Sequence, residues 1–318
     1  MKNVLEWLEA TVAKYPDKPA FSDTESSITF RQVYDIARNT GAYLVEQLGV
    51  DRTPVAVFAG RKMVTPAYFL GVVYAGRPYA PIDASLPDKR IEKILENLCP
   101  RAIVADRESR EHVESIVDEL AKAEGFDRPQ IFIAEDISHF EQVACADSNC
   151  KISESSGDAV TDSENDTDGG VVAGCAGKTD DSALEKLATV RRQMSMTDPL
   201  YIIYTSGSTG NPKGVMTSHL SLMTYINAYC DVMHIEESDV LGNQSPLDYI
   251  AAIRDIYLPL KTGCSTAIIP KEYFMEPNAL FDYMNDKKVS SVGWSVSAFT
   301  ILTSLGACLL YTSDAADD

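Results

Sequence analysis

The chain has 318 residues, of which 45% are hydrophobic and 24% are charged, and its formal net charge is −19. This length and composition allow a sizeable buried core and leave room for one large or two ordinary domains. The negative charge repels nucleic-acid backbones and anionic lipids, and the sequence has no basic patch, so we predict no nucleic-acid partner and no membrane partner. It also has no long apolar run, so we predict a cytoplasmic location.

Strands and helices alternate over the first 133 residues. Apolar strands are predicted at residues 28–30, 55–58, 102–105 and 130–133. Helices are predicted at residues 31–47, around 68–73 and at 87–97, the last with a proline in its first turn. Such alternation at short spacing is typical of parallel strands covered on both faces, so the predicted fold class is α/β, with parallel-rich sheets flanked by helices.

The alternation fails between residues 140 and 187, which are rich in Ser, Asp and Gly and nearly empty of large apolar side chains. A segment of this kind is either a domain linker or an insertion between two elements of one sheet. Strand and helix patterns resume at residues 200–204, 218–230, 250–260, 266–269, 279–285 and 289–293. We therefore interpret residues 140–187 as a disordered acidic insertion.

A polar, glycine-rich string, TSGSTGNPKGV, directly follows the strand predicted at residues 200–204. Its glycines let several backbone N–H groups converge on one anion, its hydroxyls add donors, and its lysine supplies positive charge, which together favour a polyphosphate loop over a flexible linker. The string matches neither GxxxxGK[ST] nor GxGxxG, so the ordinary NTPase and dinucleotide interpretations are weak. The predicted phosphate-binding residues are Thr205, Ser206, Gly207, Ser208, Thr209, Gly210, Lys213 and Gly214.

The whole string resembles the phosphate loop of the adenylate-forming (AMP-binding) superfamily. That superfamily includes amino-acid adenylation domains, D-alanine carrier-protein ligases, acyl-CoA synthetases and luciferases. Two earlier segments resemble it in the expected order, ITFRQV at residues 28–33 and YAGRPYAPID at 74–83. The continuation ASLPDKRI at residues 84–91 is closer to carrier-protein-loading adenylation domains and D-alanine carrier-protein ligases than to acyl-CoA synthetases. We predict structural roles for both segments, with Asp83 capping or anchoring a turn.

The resemblance implies ATP-dependent activation of a carboxylic acid or amino acid as an acyl-adenylate, with ATP and Mg²⁺ as cofactors and pyrophosphate as the leaving group. The acyl group would then pass to the thiol of a phosphopantetheinylated carrier protein or of CoA. The alternative is a non-catalytic nucleotide-binding or regulatory module derived from such an enzyme.

The seven cysteines are scattered without CxxC pairs, so we predict reduced thiols and no metal site built by them.

Substrate choice depends on the segment before the helix predicted at residues 250–260. Family members that take α-amino acids place an aspartate there to pair with the substrate ammonium. Counting back from Gly263 and Asp255 puts that position at Ile250, and Asp248 lies two residues earlier. Asp248 either recognises an ammonium group or caps the helix, so an aryl, hydroxy or other carboxylic acid stays open. The segment that begins at Trp294 either lines the acyl pocket or packs in the core.

The end of the sequence carries a further expectation. Residues 1–306 are interpreted as the N-terminal part of an adenylation large domain, and residues 307–318 as a non-native tail that resembles a translated sequencing adapter. No segment after residue 304 resembles those that the family uses for adenine, for the ribose hydroxyls or for a C-terminal lid with its catalytic lysine. The expectation is therefore an inactive N-terminal fragment without a catalytic residue of its own and with an incomplete fold.

Overall fold

The computed structural model describes residues 2–138, 181–205 and 211–304. Within these ranges the strands are β1 (Pro19–Ser22), β2 (Ser27–Thr29), β3 (Val55–Phe58), β4 (Tyr79–Ile82), β5 (Ala102–Ala105), β6 (Gln130–Ile133), β7 (Pro199–Thr205), β8 (Lys213–Ser218), β9 (Val240–Asn243), β10 (Ser265–Ile268) and β11 (Ser291–Val292). The helices are α1 (Leu5–Lys14), α2 (Phe30–Leu48), α3 (Thr65–Tyr74), α4 (Asp88–Leu98), α5 (Arg110–Leu120), α6 (Ala134–Ser138), α7 (Asp181–Gln193), α8 (His219–Met233), α9 (Ile250–Thr262), α10 (Pro277–Asp286) and α11 (Val296–Ser304), with a short 3₁₀ helix at Lys271–Met275.

These strands form two mostly parallel sheets. The six-stranded sheet has the order β6-β5-β3-β4-β7-β8, and the five-stranded sheet has the order β11-β9-β10-β1-β2. Only the β7–β8 and β1–β2 pairs are antiparallel. Every residue of β3, β4 and β5 is buried, because helices cover both faces of the sheet, and this explains the continuous apolar runs in the sequence. The predicted α/β class with parallel-rich sheets is confirmed.

Helix α2 begins at a capping box. The Thr29 hydroxyl accepts a hydrogen bond from the Gln32 amide (3.2 Å), and the Gln32 side chain accepts one from the Thr29 amide (2.8 Å). Its central part packs closely on α3 through two glycines. A Cβ added at Gly71 would lie 2.5 Å from the Cβ of Thr40, so the two helices approach each other only because this position lacks a side chain.

Helix α7 begins inside the range that the sequence predicts as an insertion, and the residues before it, 140–180, lie outside the described part of the chain. Leu187 and Val190 of α7 are buried in the main core, and the helix packs on α2 and α3. Strands β6 and β7, on either side of this range, belong to the same sheet. That topology supports an insertion within one domain, which stays a prediction.

Helix α1 contacts elements that come more than two hundred residues later. The Val4 amide donates to Nδ1 of His219 (3.4 Å), and the Thr11 hydroxyl donates to the carbonyl of Leu260 (2.7 Å). The apolar side of α1 is buried in the core that lies between the two sheets. Among the helices of the described ranges, none is both long enough and apolar enough to cross a membrane.

Candidate functional site

The carboxyl ends of β3, β4, β5 and β7 meet at one edge of the six-stranded sheet because these strands are parallel; we call this the carboxyl edge. Tyr79 of β4 pairs with Tyr201 of β7. Asp83 and Thr205 each lie four residues further along, so the two residues leave the sheet at the same level. In open α/β sheets this edge is where ligands bind.

The glycine-rich string begins at Thr205, the last residue of β7, and continues into β8 from Lys213; the two strands pair antiparallel at the carboxyl edge. Thr205 pairs with Lys213 across the hairpin, and its hydroxyl lies 3.5 Å from the Lys213 carbonyl. Both residues are exposed. The other predicted phosphate-binding residues of the string, Ser206, Gly207, Ser208, Thr209 and Gly210, lie outside the described ranges. The hairpin therefore carries an accessible lysine and hydroxyl at the carboxyl edge.

Gly214, also predicted to bind phosphate, has a packing role in the hairpin. It lies opposite Tyr204, and a Cβ there would come within 2.9 Å of an Ile202 methyl group and 3.1 Å of the Tyr204 ring. The Tyr204 hydroxyl donates to the side-chain oxygen of Asn97 (2.9 Å), and burial raises the pKa of Tyr204 to about 12, which keeps it a donor. Glycine at 214 thus lets the tyrosine fix the hairpin to α4. A phosphate contact from Gly214 stays a prediction.

Asp248 lies at the carboxyl edge, beside Asp83. Both side chains line a small cavity of about 30 Å³ together with Leu247 and the loop after β3. Burial raises the pKa of Asp248, and the neighbouring Asp83 raises it further. Asp83 also accepts a hydrogen bond from the Ser85 amide (2.7 Å), which anchors the turn that follows β4. Asp248, a candidate substrate-binding carboxylate, therefore lies next to the end of β4, which is the strand beside β7 and Thr205.

The structure shows that Asp248 does not cap helix α9. The N-cap residue of α9 is Tyr249, and no side chain caps that helix end. Ile250, the position at which the family's aspartate is expected, is the first residue of α9 and is 51% exposed. Of the two interpretations of Asp248, substrate recognition stays a proposal and helix capping is wrong.

Trp294 lines a different cavity, beside the five-stranded sheet. Its indole N–H donates to the carbonyl of Gly242 (3.0 Å), and its ring packs at 5.0 Å from Phe274 and 5.6 Å from Phe299, measured between ring centroids. This apolar cavity has a volume of about 140 Å³, and Asp248 and Ile250 do not line it. A role for the segment in acyl binding stays a prediction, and packing already accounts for the tryptophan.

The loop after β3 is fixed by Asp106, a buried carboxylate that follows β5. One carboxylate oxygen accepts from the Gly60 amide (3.0 Å) and from the Lys62 ammonium (3.3 Å), and the other accepts from the Ser109 amide (2.9 Å). Burial alone would raise the pKa of Asp106, but these hydrogen bonds and the lysine charge together lower it. The carboxylate therefore stays ionised and holds the loop that carries Arg61.

Arg61 was not singled out by the sequence analysis. Its Nη2 donates to the carbonyls of Gln244 (2.8 Å) and Ile269 (2.9 Å), just past the ends of β9 and β10. Its position in the sequence could have indicated it, since a charged residue shortly after a buried parallel strand lies near the carboxyl edge. Across the described part of the chain, no group of three or more His, Cys, Asp or Glu side chains could hold a metal ion.

Sequence comparison identifies the family. Residues 8–313 match the sequence profile described as AMP-binding enzyme. The chain belongs to the AMP-binding enzyme family. Related AMP-binding proteins include the D-alanine–D-alanyl carrier protein ligase of Bacillus licheniformis, which is 26% identical over 284 residues, and that of Bacillus velezensis, 25% identical over 278 residues. The matches cover 88% and 86% of this chain but 46% and 44% of the relatives, so the chain spans about half the length of the curated relatives that it matches.

Solved structures show that the AMP-binding protein shares their fold. VinN superposes with a TM-score of 0.67 at 16% identity, covering 96% of this chain and 64% of VinN. A four-domain nonribosomal peptide synthetase bound to AMP and glycine gives 0.67 at 19% identity, covering 95% of this chain and 18% of that one. The N-terminal subdomain of Klebsiella oxytoca NpsA, in complex with 3-hydroxybenzoyl-AMSN, gives 0.65 at 17% identity and covers 96% and 63%. The predicted resemblance to adenylation domains is confirmed.

Proposed function

We propose that this AMP-binding protein activates a carboxylic acid with ATP as an acyl-adenylate and releases pyrophosphate. The observation that carries the proposal is the pairing of Thr205 with Lys213, which places both ends of the hydroxyl- and glycine-rich string at the carboxyl edge of a parallel sheet in a member of this family. The acid's carboxylate oxygen would form a bond to the α-phosphorus, and the bond from that phosphorus to the bridging oxygen of pyrophosphate would break.

The residues present fit a polyphosphate. Phosphoryl transfer needs mainly positioning and charge neutralisation, and Lys213 supplies an exposed cation within a string that is rich in hydroxyl donors. Thr205, Ser206, Ser208 and Thr209 would contact the β- and γ-phosphates through their hydroxyls. Mg²⁺, when bound, would neutralise further charge on the phosphate oxygens.

A thiol acceptor completes the proposal. The acyl group would move from the adenylate to the sulfur of a phosphopantetheinylated carrier protein or of CoA, with AMP as the leaving group. The Bacillus relatives are D-alanine–D-alanyl carrier protein ligases, which favours a carrier protein over CoA as the acceptor. Asp248 would meet the substrate's ammonium group if the acid is an amino acid, and the exposed Ile250 leaves room for an acid that has none.

The test is ATP–pyrophosphate exchange by the protein expressed from its complete locus. The panel contains D-alanine, proteinogenic L-amino acids, aryl acids and hydroxy acids, with a control that lacks any acid. We expect exchange that depends on one class of acid. Binding of ATP without exchange for any acid would favour the alternative, a nucleotide-binding module that does not turn over.

A further inference from the structure

Arg61 joins the two sheets at the site. It follows β3 of the six-stranded sheet, and its guanidinium reaches two carbonyls of the five-stranded sheet, those of Gln244 (2.8 Å) and Ile269 (2.9 Å). Each acceptor lies one residue past its strand, next to the hydrogen bond from the Ile269 amide to the Asn243 carbonyl (2.8 Å). One side chain therefore ties the carboxyl ends of three parallel strands together.

The arginine is itself held on its own side. The Gly60 amide donates to Asp106 (3.0 Å), and the Gly60 carbonyl accepts from the Thr65 hydroxyl (2.6 Å). Burial lowers the pKa of Arg61, and the acidic side chains of Asp83, Glu272 and Asp248 act in the opposite direction. An arginine remains charged under these conditions, and its planar group can donate to two acceptors at once, which an ammonium on a shorter side chain does less well.

The segment that Arg61 anchors carries the candidate substrate residue. Gln244 is the first of the six residues that connect β9 to α9, and Asp248 is the fifth. Within this connection Leu247 is buried, and the Tyr249 amide donates to the Pro246 carbonyl (3.1 Å). Arg61 fixes the connection at its start, and α9 fixes it at its end. The small cavity shared by Arg61, Asp83 and Asp248 lies directly under this connection.

We propose that Arg61 is a positioning residue for acid binding: by holding the Gln244 carbonyl it sets the place of Asp248 relative to the carboxyl edge, where Thr205 and Lys213 lie. The proposal rests on the proposed function for its kinetic consequences. Its structural consequence, a fixed connection at residues 244–249, does not depend on turnover.

Arg77 provides a matched control. It is a buried arginine that also donates to backbone carbonyls, those of Leu48 (3.2 Å), Gly49 (3.2 Å) and Thr53 (3.1 Å), and it forms an ion pair with Asp51. It precedes β4, at the opposite edge of the same sheet. Arg61→Lys and Arg77→Lys therefore make the same chemical change at two arginines that donate to backbone carbonyls, and only the first lies at the site.

Two measurements on the full-length protein test the proposal. In pyrophosphate exchange, Arg61→Lys should raise the KM for the acid about tenfold, the effect of losing one hydrogen bond to a charged group, and change the KM for ATP less than about twofold. Arg77→Lys should lower Tm and leave the KM for the acid unchanged. In amide hydrogen exchange, Arg61→Lys should speed exchange at residues 244–249, whereas Arg77→Lys should not.

Either measurement can overturn the proposal. If Arg61→Lys lowers Tm and changes both KM values equally, Arg61 only stabilises the fold. If the wild-type protein shows no pyrophosphate exchange with any acid, the proposed function fails. Amide hydrogen exchange then still decides the role of Arg61. An unchanged rate of amide hydrogen exchange at residues 244–249 in Arg61→Lys would show that the arginine does not hold the connection between β9 and α9.

Discussion

His219 should make the protein less stable in mild acid. The side chain is 1% exposed at the start of α8, and its Nδ1 accepts the Val4 amide, so the ring is held neutral. Burial lowers the pKa of His219 from the ordinary value of 6.5 to about 4; Asp198 opposes this shift, and Arg191 and Arg52 add to it. Between about pH 4 and pH 6.5, the His219 side chain therefore binds a proton in the unfolded chain but not in the folded protein.

The sign and size of the effect follow from that difference. Because the folded pKa lies below the unfolded one, this contribution to stability is complete above pH 6.5, falls as the pH drops, and is exhausted near pH 4. The free energy of unfolding should lose about 3 kcal/mol from this group over that window.

Urea unfolding at several pH values between 7.5 and 4, on the wild-type protein and on His219→Gln, tests the reasoning. Glutamine keeps a hydrogen-bond acceptor for the Val4 amide but does not titrate, and the carboxylates titrate equally in both proteins. The wild-type unfolding free energy should fall by about 3 kcal/mol more than that of the variant over this range. Parallel pH profiles for the two proteins would refute a buried neutral histidine.

Three further predictions concern the loop, the insertion and a helix contact. Lys213→Ala should slow pyrophosphate exchange by removing a charge near the leaving group, with only partial rescue by Lys213→Arg because its planar group fits differently; equal rates for wild type and Lys213→Ala would remove the loop from the mechanism. Deletion of residues 148–180, which are poor in apolar side chains, should leave Tm and exchange nearly unchanged, and a large drop in Tm would show that they pack. Gly71→Ala, whose Cβ would lie 2.5 Å from that of Thr40, should lower the unfolding free energy by about 1–3 kcal/mol. Gly60→Ala, whose Cβ meets nothing closer than 3.5 Å, is its control, and equal Tm values for the two variants would contradict tight packing of α2 on α3.

The local elements of the fold were largely predictable, since fully buried parallel strands leave a plain record in the sequence. The runs VAVF and AIVA became β3 and β5 with the predicted bounds. Strand β9, VLGN, was missed because four residues that include glycine and asparagine carry little strand preference. Helix α7 was missed although Leu187, Val190 and Met194 repeat at helical spacing, because its first residues share the composition of the segment before it.

Pairing across long separations could not be predicted. Strand β1 pairs in parallel with β10, and Phe21 lies beside Thr266 in that register. Arg61 reaches carbonyls 183 and 208 residues further along the chain. Local periodicity reports which face of a strand or helix is buried, but it does not report the partner, and backbone carbonyls leave no trace in side-chain patterns. The glycine-rich string could be singled out from the sequence because its residues are consecutive, whereas the contacts of Arg61 with the connection between β9 and α9 could not.

Helix α1 has a consequence for the order in which the protein matures on the ribosome. Thr11 precedes its acceptor Leu260 by 249 residues, and Glu9 precedes its ion-pair partner Arg191 by 182 residues. At about 5–20 residues per second, translation of the intervening chain takes roughly 12–50 s. During that interval the apolar side of α1, which includes Leu5 and Leu8, has no docking surface from α9. The contacts of α1 with α9 therefore form only after α9 has left the exit tunnel, late in synthesis.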